Sequence, residues 1–219
     1  MPHILIIPAA GIGARLGRPE PKALVSVAGR PLLSWTLEAL APLDFRAIVV
    51  AAPSGRLADF ELILDGRGQV VAGGLTRSAS VRRAFEASGA APGEVVCIHD
   101  AARPLVSATE ASLVISAAER SGAAIAASPV VDTLKKVDGE KISNTLDREK
   151  VWAAGTPQAF RTGVLRQALA SGRETTDEAA LCEALSIPVA VVPVSRLGFK
   201  ITTPEDLEIV DAILRSRLP

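Results

Sequence analysis

The chain is poor in residues that several functions require. Of its 219 residues, five are Phe, two are Trp and none is Tyr. Binding single-stranded nucleic acid by base stacking needs aromatic platforms, so that class is disfavoured. The 24 basic and 24 acidic residues cancel, which leaves no global positive field for nucleic acid or anionic lipid. Only two cysteines, Cys97 and Cys182, and two histidines, His3 and His99, are present. With no CxxC pair, a thiolate zinc site or a disulfide framework is not expected, and a reducing cytoplasm fits. No uncharged run is long enough to cross a bilayer. The first residues lack the basic-then-apolar pattern of a signal peptide. The length suits one domain over residues 1–219. The expectation is a cytoplasmic protein that handles small molecules.

What is there is an alternation. "HILIIPAA", "RAIVVAAP", "EVVCI", "AAIAASPVV" and "PVAVVPVS" are short apolar runs that read as buried strands. Between them, "PLLSWTLEALAPL", "SASVRRAFEASGA", "SATEASLVISAAERSGA", "TTDEAALCEALS" and "TPEDLEIVDAILRSRL" carry helical spacing. Ser107 and Thr203 sit at N-cap positions, Pro204 at a first helical position, and Gly89 and Gly122 at helix ends. Continuous apolar strands separated by amphipathic helices predict an α/β fold: a Rossmann-like, mostly parallel sheet with helices on both faces. Residues 132–152 break the rhythm. They are polar and turn-rich, and Asp138-Gly139 is a hairpin signal. They predict a protruding β-hairpin arm, either merely solvated or reaching another subunit.

Ligands of such sheets bind beyond the carboxyl ends of the strands. "PAAGIGARLGRPEPKAL", residues 8–24, falls there. Its Gly11, Gly13 and Gly17 miss the dinucleotide fingerprint, because Leu16 stands where the third glycine belongs. Lys22 lacks the flanking Gly and Ser/Thr of a P-loop. What remains is a glycine loop with cations, Arg15 and Lys22. It reads equally as a triphosphate cradle or as a strand-to-helix turn with solvated charges. Asp100, just past "VVCI", can serve a ribose hydroxyl, a magnesium ion or an ion pair with Arg103. His99 reads as packing at its strand end rather than as a base. Cys97 and Cys182 read as core residues.

"PAAGIGARLG…PK" resembles the signature of sugar nucleotidyltransferases. With "GGLTRSASV", "HDAARP", "PVVDTLKKV", "TLDREKVW", "TPQAF", "TTDEA" and "KITTPEDL", the chain resembles the 2-C-methyl-D-erythritol 4-phosphate cytidylyltransferase family over nearly its whole length. That resemblance implies transfer of a cytidylyl group from CTP to 2-C-methyl-D-erythritol 4-phosphate in non-mevalonate isoprenoid biosynthesis, with magnesium as cofactor. It assigns Arg15, Lys22, Arg148 and Lys200 to catalysis. For CTP it implies Pro8, Ala9, Ala10, Gly11, Gly13, Arg15, Lys22, Gly73, Gly74, Arg77, Ser80, Asp100, Ala101 and Lys200. Gly73, Gly74 and Ser80 would meet the base, although Ser80 as an ordinary helix cap fits equally well. For the polyol phosphate it implies Arg103, Thr133, Arg148, Thr156, Thr176, Asp177 and Lys200. Asp100 is the candidate metal ligand.

The resemblance also implies a homodimer through the 132–152 arm, with Arg148 lent to the partner's site. Leu75, Gly155 and Leu197 depart from residues common in the family. The polyol phosphate is its own anionic nucleophile, which fits the lack of a Ser–His or Cys–His arrangement. Ribitol-5-phosphate cytidylyltransferases share most of these motifs. A nicotinamide oxidoreductase is disfavoured by the missing third glycine and by the lack of an acidic residue after the next strand.

Overall fold

A computed structural model describes residues 3–11, 13, 16–17 and 20–218. In chain order its strands are β1 (His3–Pro8), β2 (Ser26–Val27), β3 (Arg30–Pro31), β4 (Phe45–Ala52), β5 (Gln69–Ala72), β6 (Val95–Ile98), β7 (Ala123–Pro129), β8 (Lys135–Asp138), β9 (Lys141–Thr145), β10 (Trp152–Arg161) and β11 (Ala190–Pro193). Its helices are α1 (Leu32–Leu40), α2 (Leu57–Leu64), α3 (Arg77–Ala87), α4 (Ala108–Ser121), α5 (Thr162–Ala170), α6 (Glu178–Ala184) and α7 (Pro204–Arg215). Among the described residues, seven strands form one sheet in the order β11-β7-β10-β6-β1-β4-β5. All neighbours in it run parallel except at β10, which is antiparallel to both β6 and β7.

Strand periodicity divides the core. Leu5 and Ile7 of β1 and Cys97 of β6 face one side, packed with Leu33, Leu37, Phe60, Leu64, Val114 and Ala118 of α1, α2 and α4. Ile4, Ile6, Val96 and Ile98 face the other, with Val81, Phe85, Leu165, Leu169 and Leu181 of α3, α5 and α6. This two-residue alternation lets both sheet faces stay apolar. A third cluster joins α7 to the β2–β3 ribbon through Trp35, Ile201, Val210 and Leu214.

The helix-end chemistry follows the sequence closely. Ser107 Oγ accepts the Glu110 N–H, and Gly122 ends α4 at φ +92°. Thr203 and Asp206 form a reciprocal capping box ahead of Pro204. One expectation is corrected: the cap of α3 is Thr76, whose side chain accepts the Ala79 N–H. Ser80 lies a turn further in, where its hydroxyl donates to Thr76 O.

The arm is a β8–β9 hairpin with Asp138 opposite Lys141. Gly139, at φ +57°, supplies the left-handed turn residue. Every residue of β8 and β9 is exposed.

Candidate active site

Two pockets open beside one another at the carboxyl end of the sheet. The first, about 330 Å³, is lined by Pro8, Ala9, Ala10, Gly11, Gly13 and Lys22 on one side. Gly74, Arg77, Ser80, Asp100, Ala101 and Lys200 line the other. These residues come from the end of β1, the turns after β1, β5 and β6, the start of α3 and the segment before α7. Lys22 N–H donates to Gly11 O at 3.3 Å, which folds the glycine loop back on itself. Gly13 is at φ +61°, and a Cβ there would lie 2.9 Å from Lys22 Cβ. Only glycine allows this close approach. Gly73 and Gly74 are equally confined, since their added Cβ atoms would meet Ala10 and Ala79 at 2.5 and 2.4 Å. The Gly74 N–H donates to Ser80 Oγ at 3.1 Å. Arg15 lies outside the described residues.

Asp100 is the hub. Its side chain is only 9% exposed and has three cationic partners. Lys200 Nζ is 2.9 Å from Oδ2, Arg77 Nε 3.1 Å from Oδ1 and Arg103 Nε 3.6 Å from Oδ2. Burial alone would raise its pKa, but Arg77, Lys200 and Arg103 outweigh that and hold the carboxyl far below the usual carboxylate range. Arg77 is shared with a second carboxylate: both oxygens of Glu178 lie 2.8 Å from its Nη1.

The second pocket, about 550 Å³, is lined by Arg103, Gly155, Thr156, Arg196, Leu197 and Lys200 among others. Lys200 therefore belongs to the walls of both. Arg103 Nη1 donates to Gly198 O at 2.8 Å. A Cβ on Gly155 would sit 3.3 Å from that same nitrogen, so glycine here leaves room for the guanidinium. Thr156 Oγ accepts the Asp100 N–H at 3.0 Å and lies 3.2 Å from His99 Nδ1. His99 Nε2 is 3.2 Å from Arg103 O. A neutral His99 protonated on Nε2 satisfies every contact in this chain. Burial lowers its pKa to about 4, so it is a structural link between β6 and β10.

Other candidates stand further off. Asp177 caps α6 by accepting the Ala180 N–H and also accepts from Gln158 Nε2 at 3.0 Å. Neither it nor Thr176 is among the residues lining the two pockets. Thr133 and Arg148 lie on the exposed arm segment and line neither pocket. Arg148 Nη1 donates to Val131 O, just ahead of the arm. Sequence reasoning missed Glu178, Gln158 and Thr202, a further lining residue of the first pocket. Each sits in a motif, "TTDEA", "TPQ" or "KITT", that pointed to its neighbours instead.

Among the described residues no group of three or more His, Cys, Asp or Glu could form a metal cage. Asp100 is the one carboxylate among the described residues lining the first pocket. That donor set fits magnesium carried in by phosphate oxygens, which needs only one or two protein carboxylates. Among the described residues no helix is long and apolar enough to cross a membrane.

A parallel α/β sheet with a glycine loop, and two adjoining cation-lined pockets at its carboxyl end, defines an enzyme of the nucleotide-transfer type. The family profile described as 2-C-methyl-D-erythritol 4-phosphate cytidylyltransferase matches residues 3–216. A curated relative of that name from Thermus thermophilus is 44% identical over 216 residues, covering 96% of each chain. One from Prochlorococcus marinus is 41% identical over 98% of this chain and 99% of its own. The crystal structure of the Thermus thermophilus protein superimposes with a TM-score of 0.84 at 41% identity, over 98% of this chain and 100% of that one. The corresponding Francisella tularensis structure gives 0.82 at 32%, over 97% of this chain and 99% of that one. The chain belongs to the 2-C-methyl-D-erythritol 4-phosphate cytidylyltransferase family.

Proposed function

We propose that the first pocket takes CTP, the second takes 2-C-methyl-D-erythritol 4-phosphate, and the chain joins them. A phosphate oxygen of the polyol phosphate attacks the α-phosphorus of CTP. The bond to the bridging oxygen breaks, and pyrophosphate leaves with that electron pair. The product is 4-diphosphocytidyl-2-C-methyl-D-erythritol. No proton has to be removed from the nucleophile, so the protein's task is to orient two anions and offset their charge.

The observation that carries this reading is Lys200, a residue that lines both pockets. It is held at Asp100, 2.9 Å away, and can turn to phosphate when the substrates arrive. Lys22, with Arg15 on the same loop, would neutralise the triphosphate. Ser80 and the turn at Gly73 and Gly74 would meet the cytosine, and Asp100 the ribose or the metal. Arg103 and Thr156 would hold the polyol phosphate. Magnesium carried in on the triphosphate, with Asp100 as its candidate protein ligand, would supply charge neutralisation at the leaving pyrophosphate.

The arm extends the proposal to a homodimer. Val131, Val137, Ile142 and Leu146 are 48%, 56%, 64% and 39% exposed on a hairpin that buries nothing of its own. An isolated two-stranded hairpin is marginal in water. A second copy would cover these side chains, and the partner's Thr133 and Arg148 would then complete the polyol-phosphate site.

The test is pyrophosphate release from CTP and magnesium with each of two acceptors. Turnover with 2-C-methyl-D-erythritol 4-phosphate and not with ribitol 5-phosphate is expected. The reverse preference would overturn the assignment.

A further inference from the structure

One fully buried carboxylate has no task in the scheme above. Glu178 opens α6 and is 0% exposed. Its two oxygens both accept from Arg77 Nη1 at 2.8 Å. The Nε of that guanidinium donates to Asp100 Oδ1 at 3.1 Å. Buried ion pairs seldom add net stability over apolar side chains of similar volume. The geometry does something an apolar pair could not: it fixes the direction and the free charge of Arg77.

We infer that Glu178 is a positioning residue for the nucleotide site, acting through Arg77 to keep Asp100 oriented and available as an acceptor. Three cations surround Asp100, and Glu178 draws off part of the charge of one. When Lys200 turns to phosphate, Asp100 keeps Arg103 at a longer distance and an Arg77 already engaged elsewhere. Its carboxylate stays able to accept from ribose or to meet a cation. Without Glu178, the whole Arg77 charge falls on Asp100, or the guanidinium swings into the pocket.

The brace has a second, independent stitch. Ser78, next to Arg77, donates its hydroxyl to Thr175 O at 3.2 Å, and the Thr175 N–H returns to Ser78 Oγ at 3.5 Å. Gln158 of β10 ties the same turn down from below, donating to Asp177 and accepting the Ala179 N–H at 3.3 Å. The 175–178 turn is thereby fixed against both α3 and β10.

This inference rests on the first pocket being the CTP site, so the readout is CTP binding to the full chain with magnesium, measured by calorimetry beside the unfolding midpoint. Glu178→Gln should raise the Kd for CTP about tenfold or more, equivalent to about 1.4 kcal/mol, with the fold retained. In the Arg77→Gln background the same change should add less than twofold, because the two residues act as one unit. Should Glu178→Gln fold poorly, Arg77→Met with Glu178→Leu replaces the buried pair by apolar bulk. That variant should be at least as stable as the parent and still bind CTP about tenfold more weakly. A wild type that binds CTP, with either folded variant binding within twofold of it, overturns the inference alone. An added tenfold loss in the Arg77→Gln background also overturns it. A wild type that does not bind CTP overturns both the inference and the reading of the pocket.

Discussion

The Asp100 corner and the 132–152 arm carry proposed site residues in opposite physical states. At the corner, Asp100, Arg77, Arg103, Glu178, Thr156 and His99 come from four separate stretches of chain, and a web of hydrogen bonds and ion pairs joins them. On the arm, Thr133 and Arg148 stand exposed on a hairpin with no core. A charge ringed by partners is pre-aimed and costs no reorganisation when substrate arrives. A charge on an exposed arm gains that aim only when something packs against the arm. The contrast teaches that one chain builds the proposed nucleotide half of the site by itself, whereas the proposed polyol-phosphate half waits for a second copy.

Substitutions can sharpen or break that contrast. The largest effect should come from Lys22→Ala. The fold should survive and kcat should drop by about 10²–10³, the usual loss for one preorganised donor in a transition state. A variant that kept half of its kcat at saturating CTP would remove Lys22 from catalysis. Next in size is Arg148→Ala. It should lower kcat/KM for the polyol phosphate by about 10–100-fold, the worth of one charged hydrogen bond. CTP affinity should stay within twofold, and an equal loss for both substrates would put Arg148 with the nucleotide instead.

A smaller effect belongs to the corner's stability. His99 is held neutral, with its pKa near 4 against an ordinary 6.5. The unfolded chain therefore takes up a proton that the folded chain refuses between those values. Stability from this group is complete above pH 6.5, declines as pH falls toward 4 and levels off below. The total is at most about 3 kcal/mol. Unfolding midpoints against pH should show that decline in the wild type and a flatter curve in His99→Gln. Equal slopes would remove His99 from the account. The smallest effect is none at all. Burial pushes the thiols of Cys97 and Cys182 up to about 12 and 11, so native protein should keep its activity in iodoacetamide. Rapid inactivation would reveal an exposed thiol.

Much of this was legible in the sequence, for reasons that differ by region. The strands β1, β4, β6, β7 and β11 are largely apolar runs, so composition alone marks them. β10 was not legible: "WAAGTPQAFR" holds Gly155 and Pro157, both of which signal a turn. The sheet accommodates them where the β10–β7 register shifts between Ala154 and Gln158. α2 and β5 are short and carry weak periodicity. The glycine loop and Asp100 were legible as candidates, because a loop after a strand has a fixed address in this fold. Arg103 was legible as a partner of Asp100 because it lies three residues on, whereas Arg77 and Lys200 were not, since they lie 23 and 100 residues away along the chain. Glu178 was hidden for the same reason: its ion-pair partner Arg77 lies 101 residues away.

The proposed site combines the core of one chain with the arm of another, and mixing two impaired variants, assayed at subsaturating polyol phosphate, tests it most directly. Lys22→Ala damages the core, and Arg148→Ala damages the arm. After subunit exchange at equal concentrations, half of the dimers are mixed. Each mixed dimer has one site with both defects and one site with neither. About a quarter of all sites should then regain wild-type turnover, as a closed two-fold exchange requires. Activity that stays at the level of the parent variants, with exchange demonstrated, would mean that Arg148 serves its own chain and would contradict the shared site.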